Sequence, residues 1–332
     1  AKLWQELLTK RGIDAKIADF PEIHGMQGAR IFYYDETKNW WSRFGTPSQM
    51  PTGEPGGPDS EMFWDFGKHL KIHENSPYSA SACHINCQCG RFIEIGNNVF
   101  MEYIKTKNGF EKLSQKNVDF GGGLERLKAA FDDNPDVFFI DIFKKPREIL
   151  EQLSERKYGK DPKDTRAFRI ILDHMRASVF LIADGVQPSN VERGYVLRRL
   201  LRRAARYAYL LKLKLGWYEP IVQAFIDYYV KIYPELNKIE EIRMTISNEL
   251  EKFKKALEKG IKEFEKIAQN RIISGKEAFD LYQSYGFPIE MVEELAKERG
   301  MIINKEEFKE ELKHHQEISR LGQNQKFGGH GL

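Results

Sequence analysis

Val118 to Leu127, reading Val-Asp-Phe-Gly-Gly-Gly-Leu-Glu-Arg-Leu, constrains this chain more than any other stretch. An apolar run enters three glycines and leaves them as Leu-Glu-Arg-Leu-Lys-Ala-Ala-Phe, a segment of helical periodicity, so a strand must turn sharply into a helix. Glycine at such a turn lets something flat or charged approach the backbone. Asp119 and Arg126 bracket the glycines, so one turn offers a carboxylate to an ammonium group and a guanidinium to a phosphate or planar ring. That combination points to a nucleotide together with an amino acid. A dinucleotide fingerprint is excluded because Arg126 stands where a third glycine is needed, and a P-loop because no Lys-Ser/Thr pair follows a glycine. The plain alternative is a helix start packed tightly on a sheet, with a surface arginine.

The chain has 332 residues, which favours two domains over one core. Charged residues make up 30% of it, yet the formal net charge is only +3, so any electrostatic partner must be sought in local clusters. No run of 18 apolar residues occurs, and the first residues lack the apolar centre of a signal peptide. A soluble cytoplasmic protein with no membrane partner is expected. The three cysteines lie together in Cys83-His84-Ile85-Asn86-Cys87-Gln88-Cys89. An odd count at this spacing argues against a secreted disulfide framework. Cys83, Cys87 and Cys89, with the adjacent His84, could supply tetrahedral ligands to a structural Zn²⁺; the alternative is a loop of free thiols in a reducing compartment.

Reading from the start, Leu3, Trp4, Leu7 and Leu8 give a short amphipathic helix, and Ile13 to Phe20 leads into an edge strand. Arg30 to Tyr34 is aromatic and β-branched, hence strand-like, and Trp40-Trp41 follows, with one ring free to line a small pocket. Gly45 to Gly57 is rich in proline and glycine and predicts a rigid loop that could fix backbone amides and Glu61 around a ligand before the strand Met62 to Phe66. The strand Arg91 to Tyr103 is interrupted by Gly96-Asn97-Asn98, the mark of a bulge or a ligand contact.

Past Phe131 the pattern turns helical, with a charge-rich linker at Glu155 to Thr165 and helices over Phe168 to Ala183, Glu192 to Leu215 and about 236 to 268. Between Arg193 and Lys214 there is no acid. On a helical wheel Arg198, Arg199, Arg202, Arg203 and Arg206 share an arc opposite Leu197, Leu201 and Ala204. A face of a single sign points to phosphates, most simply a nucleic-acid backbone. The tail from 321 to 332 reads as a linker.

These segments together resemble the alanyl-tRNA synthetases, class II enzymes that activate alanine with ATP and load it onto tRNA. The resemblance rests on Asn39-Trp40-Trp41, the stretch Gly53 to Glu61, Glu94-Ile95-Gly96-Asn97, Val118 to Leu127, Asp173 to Arg176, Phe180 to Asn190, Arg193 to Arg199, Leu281 to Pro288 and His315 to Arg320. It implies an α+β fold: the carboxy-terminal part of a class II antiparallel sheet with helices over 1–135, an all-helical tRNA-recognition domain over 136–320, and a tail over 321–332.

By this resemblance Val118 to Leu127 is class II motif 3. Arg126 then lies against ATP, with Gly121, Gly123 and Glu94 beside it and Glu94 or Glu61 ordering Mg²⁺. Asp119 binds the alanine ammonium, Asn97 its carboxylate end, and Trp41 walls a pocket for a methyl group; Arg126 and Asp119 are the catalytic pair. Asn190 matches an asparagine that reads a G·U pair in the acceptor stem of tRNA(Ala), with Arg193, Arg198, Arg199, Arg202, Arg203 and Arg206 holding phosphates. Gln283 stands where the family carries an aspartate, and Gly56 and Asp59 stand where many bacterial members carry cysteines. Nothing in the chain matches motifs 1 and 2, so an amino-terminal catalytic segment, in cis or in trans, is an implied partner. Two rivals remain: a non-catalytic tRNA-binding paralogue, and a class II ligase for a different amino acid.

Overall fold

The computed structural model describes residues 1–268 and 272–327. It divides into two compact units, Ala1–Ile140 and Asp141–Leu332. The first unit contains α1 (Lys2–Lys10), β1 (Ile17–Ala18), α2 (Pro21–His24), β2 (Ile31–Phe32), β3 (Trp40–Trp41), β4 (Pro55–Asp65), β5 (Phe92–Thr106), β6 (Gly109–Gly122) and α3 (Leu124–Phe131). Strands β3-β4-β5-β6 form an antiparallel sheet in that order. The edge strand expected over Ile13 to Phe20 shrinks to Ile17–Ala18, which pairs in parallel with Ile31–Phe32 outside that sheet. The expected loop up to Gly57 ends earlier, because the strand begins at Pro55. A Cβ at Gly57 would fall 1.9 Å from the carbonyl oxygen of Phe100, so only glycine lets β4 lie this close to β5.

The second unit is helical: α4 (Asp141–Ser154), α5 (Pro162–Ala183), α6 (Glu192–Leu210), α7 (Tyr218–Tyr229), α8 (Ile239–Ile267), α9 (Gly275–Tyr285), α10 (Ile289–Glu298) and α11 (Lys305–Phe327), with one short parallel pair, β7 (Ile272–Ile273) and β8 (Ile302–Ile303). Helix α5 starts inside the expected linker because Asp161 caps the amides of Lys163 and Asp164 and Pro162 takes the first helical position. Gly286, in the left-handed conformation, ends α9 as its sequence predicts. Phe168, Ile171, Met175 and Val179 of α5 are buried, as are Leu197 and Leu201 of α6, Ile221 and Phe225 of α7, and Ile242 and Ile246 of α8. Helix α11 extends through Phe327, into the segment expected to be a linker; residues 328–332 of that tail lie outside the described residues.

Candidate active site

Cross-strand partners share a face of a sheet, so the register locates the polar residues. Asp59 lies opposite Val99, which lies opposite Asp119; in the next row Glu61 faces Asn97 and Asn97 faces Gly121. Met62 pairs with Gly96 but Phe63 pairs with Glu94, so Ile95 is the extra residue of a bulge, beside the Gly-Asn-Asn interruption. That shift returns Glu94 to the face carrying Asn97 and Glu61. Asn97 Nδ2 donates to Asp59 Oδ2 at 2.9 Å. Burial, with the nearby Glu94 and Asp59 carboxylates adding, pushes the Glu61 carboxyl up to about 7. Burial also raises Asp59, outweighing the hydrogen bonds from the Asn97 and Asn39 side chains. Asp119 is exposed, and its Oδ1 accepts from the Phe120 amide at 2.9 Å.

Each glycine of the turn has its own reason. Gly96 and Gly122 are cross-strand partners. A Cβ at Gly96 would lie 2.8 Å from the Phe120 ring and one at Gly122 3.1 Å from it, so the ring is laid flat over a bare patch of backbone. A Cβ at Gly123 would press on the Arg126 side chain at 3.1 Å, whereas one at Gly121 would meet nothing within 4 Å. Gly121 therefore leaves open space on the same face as Asn97. Arg126 Nη1 donates to Glu94 Oε2 at 3.0 Å and to the Glu94 carbonyl at 3.3 Å. Both contacts use one nitrogen, and the rest of the fork can take an anion.

The two tryptophans part company. Trp40 stacks on Tyr103 at 6.0 Å, meets Phe110 edge-on at 5.4 Å and donates its indole N–H to Met50 Sδ at 3.3 Å. Trp41 pairs with Gly57, beside the register shift between Gly56 and Asp59 on β4.

The cysteine segment lies in the connection between β4 and β5. His73, Cys83 and Cys89 bring their ligand atoms within 4.8 Å of one another, and Cys87 Sγ lies 3.5 Å from His73 Nδ1. Tetrahedral Zn²⁺, with bonds of about 2.3 Å to sulfur and 2.0–2.1 Å to nitrogen, sets such a pair about 3.5 Å apart. His73 Nε2 donates to the Ser81 carbonyl at 3.0 Å, which leaves the Nδ1 lone pair for a metal. The Arg91 amide donates to Cys89 Sγ at 3.5 Å and its guanidinium to Cys83 Sγ at 3.8 Å. The donor set fits Zn²⁺. His84, the imidazole expected from the sequence, is instead hydrogen-bonded through Nδ1 to Tyr34 Oη at 2.9 Å; the imidazole that joins the cysteines, His73, comes from ten residues before the first of them.

Residues 4–330 match the family described as tRNA synthetases class II (A). The chain belongs to that family. It is 40% identical over 323 residues to the alanine-tRNA ligase of Borrelia hermsii (strain HS1 / DAH), a match covering 95% of this chain and 52% of the relative. It is likewise 40% identical over 328 residues to that of Treponema denticola, with the same shares, and 38% identical over 299 residues to that of Petrotoga mobilis, covering 88% of this chain and 33% of the relative. The chain thus spans about half the length of the first of these relatives. No helix among the described residues is long and apolar enough to cross a membrane.

In this class II synthetase the arginines of α6 are not the open cationic face that their wheel predicts. Arg199 Nη1 donates to Glu290 at 2.7 Å, Arg202 Nε to Glu249 at 2.7 Å and Arg203 Nε to Glu294 at 3.0 Å. Arg206, only 1% exposed, reaches Glu298 at 2.5 Å and lies 3.5 Å from Glu294. The acids come from α8 and α10, so a wheel drawn on one helix cannot register them. Arg193, Asn190 and Gln283 are exposed, and Arg198 holds Asn190 Oδ1 through Nη1 and the Pro188 carbonyl at 3.3 Å through Nη2.

Proposed function

We propose that this chain takes part in ATP-dependent activation of alanine to alanyl-adenylate and in transfer of the alanyl group to tRNA(Ala). One observation carries the reading: Asn97, Asp59, Glu61, Asp119 and the Arg126–Glu94 pair line one side of the sheet, around the open space at Gly121. Arg126, Gly121, Gly123 and Glu94 would hold ATP with Mg²⁺, and ATP supplies the α-phosphate that the alanine carboxylate attacks. Asp119 and Asn97 hold the amino acid, and Trp41 limits the side-chain space to a methyl group. Such a site works by positioning and charge neutralisation.

The amino-terminal partner segment would add beside β6, the last strand of the sheet among the described residues, where Val118 and Phe120 of β6 and Leu124 and Leu127 of α3 are exposed. An apolar edge of this kind is a template for a further strand. Asn190 and Gln283, with Arg193, Arg198 and Arg199, would contact the acceptor stem, while Arg202, Arg203 and Arg206 set the helices that present them. His73, Cys83, Cys87 and Cys89 would hold a structural Zn²⁺, and a cytoplasmic location accompanies translation.

Alanine-dependent ATP–pyrophosphate exchange tests the reading. The chain alone should show no useful rate, and the chain supplied with a segment bearing motifs 1 and 2 should show one that Asp119→Ala abolishes. Activity in the chain alone would refute the need for the partner. Silence in the complemented protein, with tRNA still bound, would favour the non-catalytic tRNA-binding paralogue.

A further inference from the structure

Asp59 is 9% exposed, and only one of its carboxyl oxygens is engaged by Asn97. The other, Oδ1, is buried without a hydrogen-bond partner, and so is Oδ1 of Asn97. Both atoms are acceptors. Two buried acceptors without donors, on side chains hydrogen-bonded to each other, cost free energy unless something brings donors to them. An anion is excluded by sign. A hydrated Mg²⁺ asks for octahedral oxygens and gives up its water reluctantly, which one carboxylate oxygen and one amide oxygen serve poorly. A primary ammonium group carries three donors and a positive charge, which suits a carboxylate and an amide oxygen that both lack donors.

The surroundings favour a small amino acid over a bare cation. Val99, buried, lies directly between Asp59 and Asp119 across three strands, giving the polar row an apolar middle. With strands roughly 4.8 Å apart, Asp119 stands about 10 Å from Asp59. Asp119 is exposed and has an oxygen committed to the Phe120 amide. Its charge is therefore the more screened of the two.

We propose that Asp59, together with Asn97 Oδ1, is the buried anchor for the substrate's α-ammonium group, with Asp119 as the solvent-side charge. The assignment rests on the amino-acid-activating reading above. It also reverses the expected orientation of Asn97: its Nδ2 is committed to Asp59, so its oxygen meets the ammonium end and not the carboxylate end.

Titration calorimetry on the full chain with L-alanine, L-alaninol and L-lactate separates the contributions, since alaninol keeps the ammonium and lactate replaces it with a hydroxyl. Asp59→Asn should weaken alanine and alaninol by about 10- to 100-fold, the range for one charge-assisted hydrogen bond, and leave lactate unchanged. Equal weakening of all three ligands, or no weakening, overturns the proposal. Failure of the unsubstituted chain to bind alanine or alaninol even when complemented with a segment bearing motifs 1 and 2 refutes the amino-acid reading itself. If Asp59→Asn does not fold, Asn97→Ser removes the second acceptor and carries the same expectation and the same refuting outcomes.

Discussion

Arg202 sets both Nε and Nη2 2.7 Å from Oε1 of Glu249, across the α6–α8 interface, with 15% and 7% of the two side chains exposed. Arg198 Nε stands 3.3 Å from the same oxygen and extends its Nη1 to Asn190, while Arg202 Nη1 donates to the Gly286 carbonyl at 2.5 Å. One buried carboxylate therefore ties Asn190 to the end of α9 that bears Gln283. Glu249→Ala leaves two guanidinium groups without their anion and should cost about 3–5 kcal/mol, the range for breaking a buried pair. Chemical denaturation measures this. Weaker binding of a tRNA(Ala) acceptor-stem hairpin by Glu249→Gln, at a temperature where the protein stays folded, would show that the network positions the stem contacts.

Gly121 of the turn and Gly96 of β5 should respond differently to the same methyl group. Gly96→Ala drives a Cβ into the tip of the Phe120 ring, which is half-exposed and can shift, so it should destabilise the first unit by about 1 kcal/mol, the low end of overpacking costs. Gly121→Ala meets nothing and should leave the melting temperature unchanged while lowering alanine-dependent exchange in the complemented protein. Equal melting temperatures for the two variants would contradict the arrangement of the ring over Gly96 and Gly122.

Glu61 makes stability fall with pH. Its carboxyl rises from 4.5 to about 7 on folding, so between those values the folded chain binds more protons than the unfolded one. The neutral form is tolerated in the fold, and the penalty for the charged form grows as pH rises through the window and levels off above it. Glu61→Gln should match the parent near pH 5 and exceed it near pH 8 by on the order of 1 kcal/mol, after discounting a half-buried group for solvent screening. Parallel melting curves at both pH values would rule this out.

The metal reading separates two histidines. His73→Ala should lose bound zinc, measured by elemental analysis of the purified chain, and His84→Ala should keep it, because His84 is turned to Tyr34. Substituting Co²⁺ for Zn²⁺ should give thiolate-to-metal charge-transfer absorption that Cys87→Ser reduces. Zinc lost from the His84 variant and retained by the His73 variant would reverse the assignment.

Local rules carried much of the fold. Helical periodicity found α5, α6 and α8, left-handed glycine found the end of α9, and alternation with a Gly-Asn-Asn break found β5 and located its bulge within a residue. What failed were boundaries set by neighbours: Pro55 to Gly57 looks like a loop until β5 is placed beside it, and Ile13 to Phe20 looks like a strand of the main sheet until its short partner is seen. In the candidate site, Arg126, Asn97 and Glu94 are legible in the sequence, but the unsatisfied oxygen of Asp59 is not, since satisfaction of a hydrogen bond belongs to a pair and not to a residue.

The sequence by itself determined that a strand must break into a helix at three glycines, that a sheet-bearing half precedes a helical half, and that the chain carries the residues of a class II synthetase. Only the tertiary structure decided what each charge faces. The arginines of α6 meet their acids from α8 and α10, the cysteines meet His73 in place of their neighbour His84, and Glu94 reaches the face of Asn97 through the bulge at Ile95. Periodicity and propensity act over a few residues, whereas electrostatic pairing and desolvation act through space, so their outcome depends on which distant elements are packed together.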